Sequence, residues 1–353
     1  MTSTTAPPSP LLSVKGMTRR FGGLTAVGDV SFDAAAGSIT SVIGPNGAGK
    51  TTLFNVLTGI FPPSEGEATF EGRPLQRVLT RRAAVWMAVS ALLTGLGATA
   101  IARGVAAFEA LMGLYAFGEA YPWGPGLRAA AAAVLARPAW TFLWFAVGAG
   151  VGAAASIVLW GRSRYQPHVI NARGIARTFQ NIRLFQNMTA LENVMVGFDR
   201  HLRAGLAGTL LRLPGMRREE RETRAKASAL LARVGLAGRE ELLARNLPYA
   251  AQRRLEIARG LATGPRLLLL DEPAAGMNPQ EGAALMDLIR GLRDGGMTIV
   301  LIEHHMRIVM GLSDRIVVLD HGVKIAEGTP REIQGNPAVI EAYLGKPTEG
   351  GAH

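Results

Sequence analysis

The stretch GPNGAGKTT (44–52) follows directly on the apolar run SITSVIG. Within it, Gly44-Pro45-Asn46-Gly47-Ala48-Gly49-Lys50-Thr51 fits the pattern G-x-x-x-x-G-K-[ST], with Thr52 beside it. A strand that enters a Gly-rich turn and leaves as a helix gathers backbone N–H groups at the positive end of the helix dipole. Glycine permits that wrap because it has no Cβ to strike a phosphate. On this reading Lys50 reaches the β- and γ-phosphates of a nucleotide, the Thr51 hydroxyl holds Mg²⁺, and a helix runs from Lys50 to Leu57. A chance match is the competing explanation, since the chain has 43 glycines. It requires the flanking strand and helix to be missing, and the sequence supplies both.

The second half of the chain provides the acids. RLLLLDEP is an aliphatic strand that delivers Asp271 and Glu272 to its C-terminal end. Phosphate-loop folds place a Mg²⁺-organising aspartate there. Glu272 is then placed to polarise a water, and VLIEHH brings His304 from another strand end toward the γ-phosphate. Strands are also expected in LLSVKGM, VGDVSFDA, GIARTFQN and RIVVLDHG, and a hairpin in GEATFEGRPL. Thr189-Ala190-Leu191-Glu192 predicts a capping box opening a helix, and 217–234 a charged, solvent-facing helix. The fold class is α/β.

The 353 residues carry a net charge of +11, which favours anionic partners or reflects arginine used for solubility. There is no cysteine, which excludes disulfides, thiol catalysis and cysteine-bound zinc. MTSTTAPPSP lacks the pattern of a signal peptide and is expected to be a disordered leader, 1–10.

The character changes near Arg77. The runs 83–102 and 139–160 contain no charged residue, and each is long enough to span a bilayer. PWGPG between them predicts a turn, and 104–117 an interfacial segment. The segment 79–165 is therefore expected to be an inserted hydrophobic hairpin. Arg73, Arg77, Arg81 and Arg82 precede the first run; Arg162, Arg164, Arg173 and Arg177 follow the second. The connection between the runs is nearly balanced in charge, which matches the positive-inside rule. Trp140, Trp144 and Trp160 mark the ends of the second run, and Gly148 and Gly152 form a G-x-x-x-G packing face. The alternatives are a buried soluble hairpin and a segment packed only within a complex.

GPNGAGKTT, RTFQ, LLLLDEP and IEHH, in that order, resemble the Walker A, Q-loop, Walker B and H-loop of ABC-transporter ATPases. RRFGGLTAV, QRRLEIARGLA, LDEPAAGMNP and NPAVIEAYLG narrow the resemblance to ATP-binding subunits of bacterial branched-chain amino-acid importers. It covers 11–78 and 166–345, leaving 346–353 as a tail. It implies an ABC-type P-loop NTPase: a mixed β core, an antiparallel β subdomain and a helical subdomain. It also implies an ATPase using ATP and Mg²⁺ to energise uptake of branched-chain amino acids or related small polar solutes. By the resemblance Phe21 stacks on adenine, Gln180 touches Mg²⁺ and senses the permease, and Asp271 is the Walker B acid. Glu272 is the general base, His304 the switch, and Asn278 lies in the loop crossing to the second ATPase.

The signature, near LSGGQ in the family, is Leu247-Pro248-Tyr249-Ala250-Ala251 here. It acts in trans, and Ala250 puts a Cβ where the family has its second glycine. The departure points to a heterodimer with a second ABC ATPase; the alternative is that alanine is tolerated there and both sites turn over. The resemblance implies two multi-span permease subunits and, indirectly, a periplasmic solute-binding protein. The location implied is the cytoplasmic face of the inner membrane, integral through the hairpin, with no nucleic acid bound. The competing classes are a membrane-tethered regulatory ABC ATPase and a nucleic-acid-associated one.

Overall fold

The computed structural model describes residues 10–76, 79–135, 138–163, 165–199 and 214–344. The expected leader and tail lie outside them, except that Pro10 already begins the first strand. They divide into two units, Met1–Leu75 with Tyr165–His353, and Gln76–Arg164.

In the first unit the strands are β1 (Pro10–Phe21), β2 (Leu24–Ala35), β3 (Ile39–Ile43), β4 (Glu65–Phe70), β5 (Arg73–Pro74), β6 (Ile175–Arg177), β7 (Leu267–Asp271), β8 (Thr298–Ile302), β9 (Arg315–Asp320) and β10 (Val323–Gly328). One sheet has the order β10-β9-β3-β8-β7-β6 and the other β2-β1-β4-β5. β3, β6, β7, β8 and β9 run parallel, and β10 returns antiparallel to β9. The second sheet is antiparallel throughout and ends in the expected β4–β5 hairpin.

Continuous apolar runs suit a sheet covered on both faces. In β7, Leu268 and Leu270 join a core built largely from helices, while Leu267 and Leu269 join one shared with β1, β2 and the helix Lys50–Leu57. All four are fully buried, at about 1.5–3 kcal/mol each relative to exposure. Packing on both faces leaves only the strand ends open, so the acids at the end of β7 reach the surface of a rigid layer.

The helices of this unit are α1 (Lys50–Leu57), α5 (Pro167–Ala172), α6 (Ala190–Gly197), α7 (Pro214–Arg233), α8 (Tyr249–Ala262), α9 (Pro279–Asp294), α10 (Met306–Leu312), α11 (Pro330–Gln334) and α12 (Pro337–Leu344). The capping box at α6 is present: the Glu192 amide donates to Thr189 Oγ1 and the Thr189 amide to Glu192 Oε2. α7 is charged but not wholly solvent-facing, because Ala227 and Leu231 are buried in the helical core.

The second unit holds α2 (Arg81–Met112), α3 (Trp123–Leu135) and α4 (Pro138–Ser163). The helix of the first apolar run extends past 102 to Met112 and so takes in most of 104–117. PWGPG starts α3 instead of making a turn, since proline is tolerated where a helix begins and its N–H groups lack partners.

α2 and α4 meet through small residues. A Cβ on Gly148 would lie 2.6 Å from the Ala98 Cβ, and one on Gly152 2.0 Å from Thr94 Oγ1. Ser90 and Ser156 hydroxyls pair at 2.8 Å. The G-x-x-x-G face thus packs inside the hairpin. Only 6% and 11% of the residues in the two most apolar stretches are buried. Because the chain has no other cysteine, Ser90→Cys with Ser156→Cys should form one intramolecular cross-link under mild oxidation. Adding Gly152→Leu should abolish it, as read by a gel shift.

Candidate functional site

The loop after β3 carries three glycines in backbone conformations that L side chains avoid: Gly44 (φ 151), Gly47 (φ 82) and Gly49 (φ 90). A Cβ on Gly44 would sit 2.0 Å from the Leu319 carbonyl oxygen, and one on Gly49 2.4 Å from that of Ala26. The loop is therefore pressed against β9 and β2 and opens only outward. Gly49 caps α1 without a side chain, and α1 begins at Lys50. Lys50 Nζ donates to the carbonyls of Gly44 (2.8 Å) and Pro45 (2.9 Å). Burial pushes its ammonium below the usual lysine range, while Glu272 and Asp271 pull it back up. The lysine is held inside the loop it serves.

A cleft of about 410 Å³ opens here. Asn46, Gly47, Ala48, Gly49, Lys50, Thr51 and Thr52 line it with Gln180 and Glu272. Pro45 lines the neighbouring cavity beside Asp320 and His321. Leu24, Thr25, Ala26 and His321, which the motif reading missed, complete the first cleft. Phe21 is not among its lining residues. It packs edge-on against Phe61 at 5.2 Å, with the Arg19 guanidinium 4.5 Å from its ring centroid. Its hairpin partner Leu24 reaches the cleft instead.

Asp271 ends β7 and is 2% exposed. Its Oδ2 accepts from Arg177 Nη2 at 2.8 Å, and its Oδ1 is buried without a partner among the described residues. Arg177 also donates to Asn55 Oδ1 (2.7 Å) and Thr58 Oγ1 (3.0 Å). Burial lowers its pKa, and the bond to Asp271 raises it. Arg177 is thus a buried partner of Asp271 rather than a charge flanking the hydrophobic run. Sequence spacing carries no sign of this, because the two residues lie on neighbouring strands 94 positions apart.

Glu272 sits at φ 45, a region that costs a non-glycine residue about 1 kcal/mol or more. The turn aims its carboxylate at two neighbours. Gln180 Nε2 donates to Glu272 Oε2 at 3.0 Å, and His304 Nδ1 lies 3.6 Å from Glu272 Oε1. The fully buried Glu303 accepts from the backbone amides of His304 (3.0 Å) and His305 (3.3 Å), which fixes the turn carrying His304. Gln180, Glu272 and His304 therefore converge beside the phosphate loop.

The remaining expected residues lie apart from this convergence. Pro248 is the N-cap of α8 and gives it no side-chain cap. Tyr249 is exposed, and Ala250 and Ala251 are buried. Asn278 caps α9 in a reciprocal box with Glu281. Within one chain neither stretch lines the cleft.

A family model described as "ABC transporter" matches residues 27–96 and 156–275, and one described as "Branched-chain amino acid ATP-binding cassette transporter" matches 323–348. The chain is 38% identical over 338 residues to the high-affinity branched-chain amino acid transport ATP-binding protein LivG of Salmonella typhimurium. That match covers 96% of this chain and 98% of the relative. BraF of Pseudomonas aeruginosa, with the same description, is 37% identical over 96% of this chain and 98% of its own. Among solved structures, a nucleotide-free ATP-binding cassette from an ABC transporter superposes with a TM-score of 0.62 at 23% identity, covering 96% and 100% of the two chains. That last likeness carries the fold alone.

Removing Arg177 leaves the Asp271 carboxylate buried and unpaired. Arg177→Ala should cost about 3–5 kcal/mol of stability in urea denaturation. Arg177→Met combined with Asp271→Leu should restore most of it.

Proposed function

The chain belongs to the ATP-binding family of ABC transporters, and from that premise we propose that it energises an importer of branched-chain amino acids by hydrolysing ATP. The observation that supports this most is the convergence of Gln180, Glu272 and His304 beside the phosphate loop. The backbone N–H groups of 44–52 and Lys50 hold the phosphates, with adenine at the rim near Phe21. Thr51, Asp271 and Gln180 are the residues that would hold Mg²⁺. The buried Asp271 Oδ1, without a partner among the described residues, fits a cation, which would offset phosphate charge. Glu272 accepts the proton of the attacking water, and His304 and Gln180 orient the groups around it.

The partners proposed are a second ABC ATPase, two multi-span permease subunits and, indirectly, a periplasmic solute-binding protein. In the ATPase pair, Pro248, Tyr249, Ala250 and Ala251 meet the partner's nucleotide, and Asn278 lies in the crossing loop. Ala250 and Ala251 weaken that distant site and leave this chain's own site intact, which favours a heterodimer. In a reconstituted complex Glu272→Gln should lower ATP turnover by about 100-fold or more. Leucine uptake should fall with it. The equivalent change in the partner should do less; equal suppression contradicts the asymmetry.

The ATPase domain comprises 11–78 and 166–345, and 79–165 is an insertion that anchors the subunit in the inner membrane from its cytoplasmic face. The family model passes over 97–155, which supports an insertion. The Ser90–Ser156 pair puts Trp86 and Trp160, each four residues away, at one level. Trp140 lies 20 residues from Trp160 (160 − 140), about 30 Å along a helix. That equals the hydrocarbon thickness of a bilayer, about 30 Å, with aromatic residues at both boundaries. Arg81 and Arg82 are exposed at one end of the charge-free run and Arg103 at the other. Expressed alone, the protein should stay with membranes through a carbonate wash, and a variant with 79–165 replaced by a short Gly-Ser linker should be released. Release of the full chain contradicts the anchor.

A further inference from the structure

Arg253 and Glu256 lie one turn apart on α8, with side chains 0% and 2% exposed. Taking two charges out of water is costly, and an apolar pair of similar volume often folds as well or better. Their mutual bond is 2.9 Å long, but most of their remaining hydrogen bonds go off the helix to one loop. Arg253 Nη1 donates to the Phe179 carbonyl (2.5 Å) and Nη2 to the Gln180 carbonyl (2.6 Å). Glu256 Oε1 accepts from the Phe179 amide (3.3 Å) and the Arg183 amide (3.5 Å). No backbone–backbone hydrogen bond fastens 179–184 among the described residues. The pair grips both the donor and the acceptor side of a loop that little else holds.

We propose that Arg253 and Glu256 are positioning residues that join the signature helix to the Gln180 loop, so that the two move as one body. The chain of contacts is short. Arg253 Nη2 lies 3.3 Å from the hydroxyl of Tyr249, in the signature stretch, and also holds the Gln180 carbonyl. The Gln180 side chain donates to Glu272. When the N-terminal turn of α8 engages the nucleotide of the second ATPase, the displacement passes to Gln180 and changes its bond to Glu272. Occupancy of the distant site thereby sets the readiness of this chain's own general base. This rests on the reading above that the signature acts in trans.

The test uses the reconstituted complex. Arg253→Met with Glu256→Leu removes both charges, leaving no lone buried ion, and Arg253→Lys keeps the charge but loses the fork. The double variant should lower kcat by about 10-fold, because misplacing Gln180 misplaces the base. ATP affinity of the isolated subunit should be unchanged, and Arg253→Lys should recover part of the rate. In a Gln180→Ala background the double variant should add less than about twofold, since both changes cut the same path. Unchanged kcat, or a full multiplicative loss on top of Gln180→Ala, overturns the proposal. Turnover of the unmutated complex is measured alongside, so a failure of the ATPase reading registers there and a failure of the clamp registers in the variants.

Discussion

Backbone meets backbone at the phosphate loop with no room for a side chain between them. Gly44 abuts the Leu319 carbonyl and Gly49 the Ala26 carbonyl, each too close for a Cβ. This one constraint fixes β9, β2 and α1 around the loop. With the loop held, Lys50 folds back on the carbonyls of Gly44 and Pro45. The ends of β7 and β8 then place Glu272 and His304 beside it. A sheet buried on both faces makes those strand ends stiff supports, and positioning is what phosphoryl transfer requires of a protein.

Much of this was legible because it is local. The spacing of 44–51 sets the turn, the following helix begins at Lys50, and the Thr189–Glu192 box closes as its residue types demand. LLLL followed by Asp271 and Glu272 is a buried strand with its acids at the end. What remained hidden depends on distance in the chain. Arg177 reads as one more arginine near a hydrophobic run until β6 is laid beside β7 and its guanidinium meets Asp271. Arg253 and Glu256 draw no notice in the sequence, yet both are buried against a loop more than 70 positions away. PWGPG misled for another reason. Proline and glycine punctuate turns, and they also suit the first turn of a helix, so only the packing of α3 distinguishes the two. Around Phe21 the structure adds neighbours the motifs did not name: Phe61 and Arg19 against its ring, and Leu24, Thr25 and Ala26 facing the cleft.

The two units follow different packing rules. In the ATPase unit leucine and isoleucine fill the interior and arginine is paired or exposed. In the helical unit glycine, alanine and serine make the interface, and the large side chains point outward. That exposed apolar surface is the observation behind the anchor proposed for 79–165.

The central claim is that the glycine loop with Lys50 is the ATP site. Calorimetric titration of the purified protein with MgATP tests it directly. The account predicts one site on the unmutated chain and at least about a tenfold loss of affinity in Lys50→Ala, the worth of one charge-assisted phosphate contact. Equal affinity in the two proteins would contradict it.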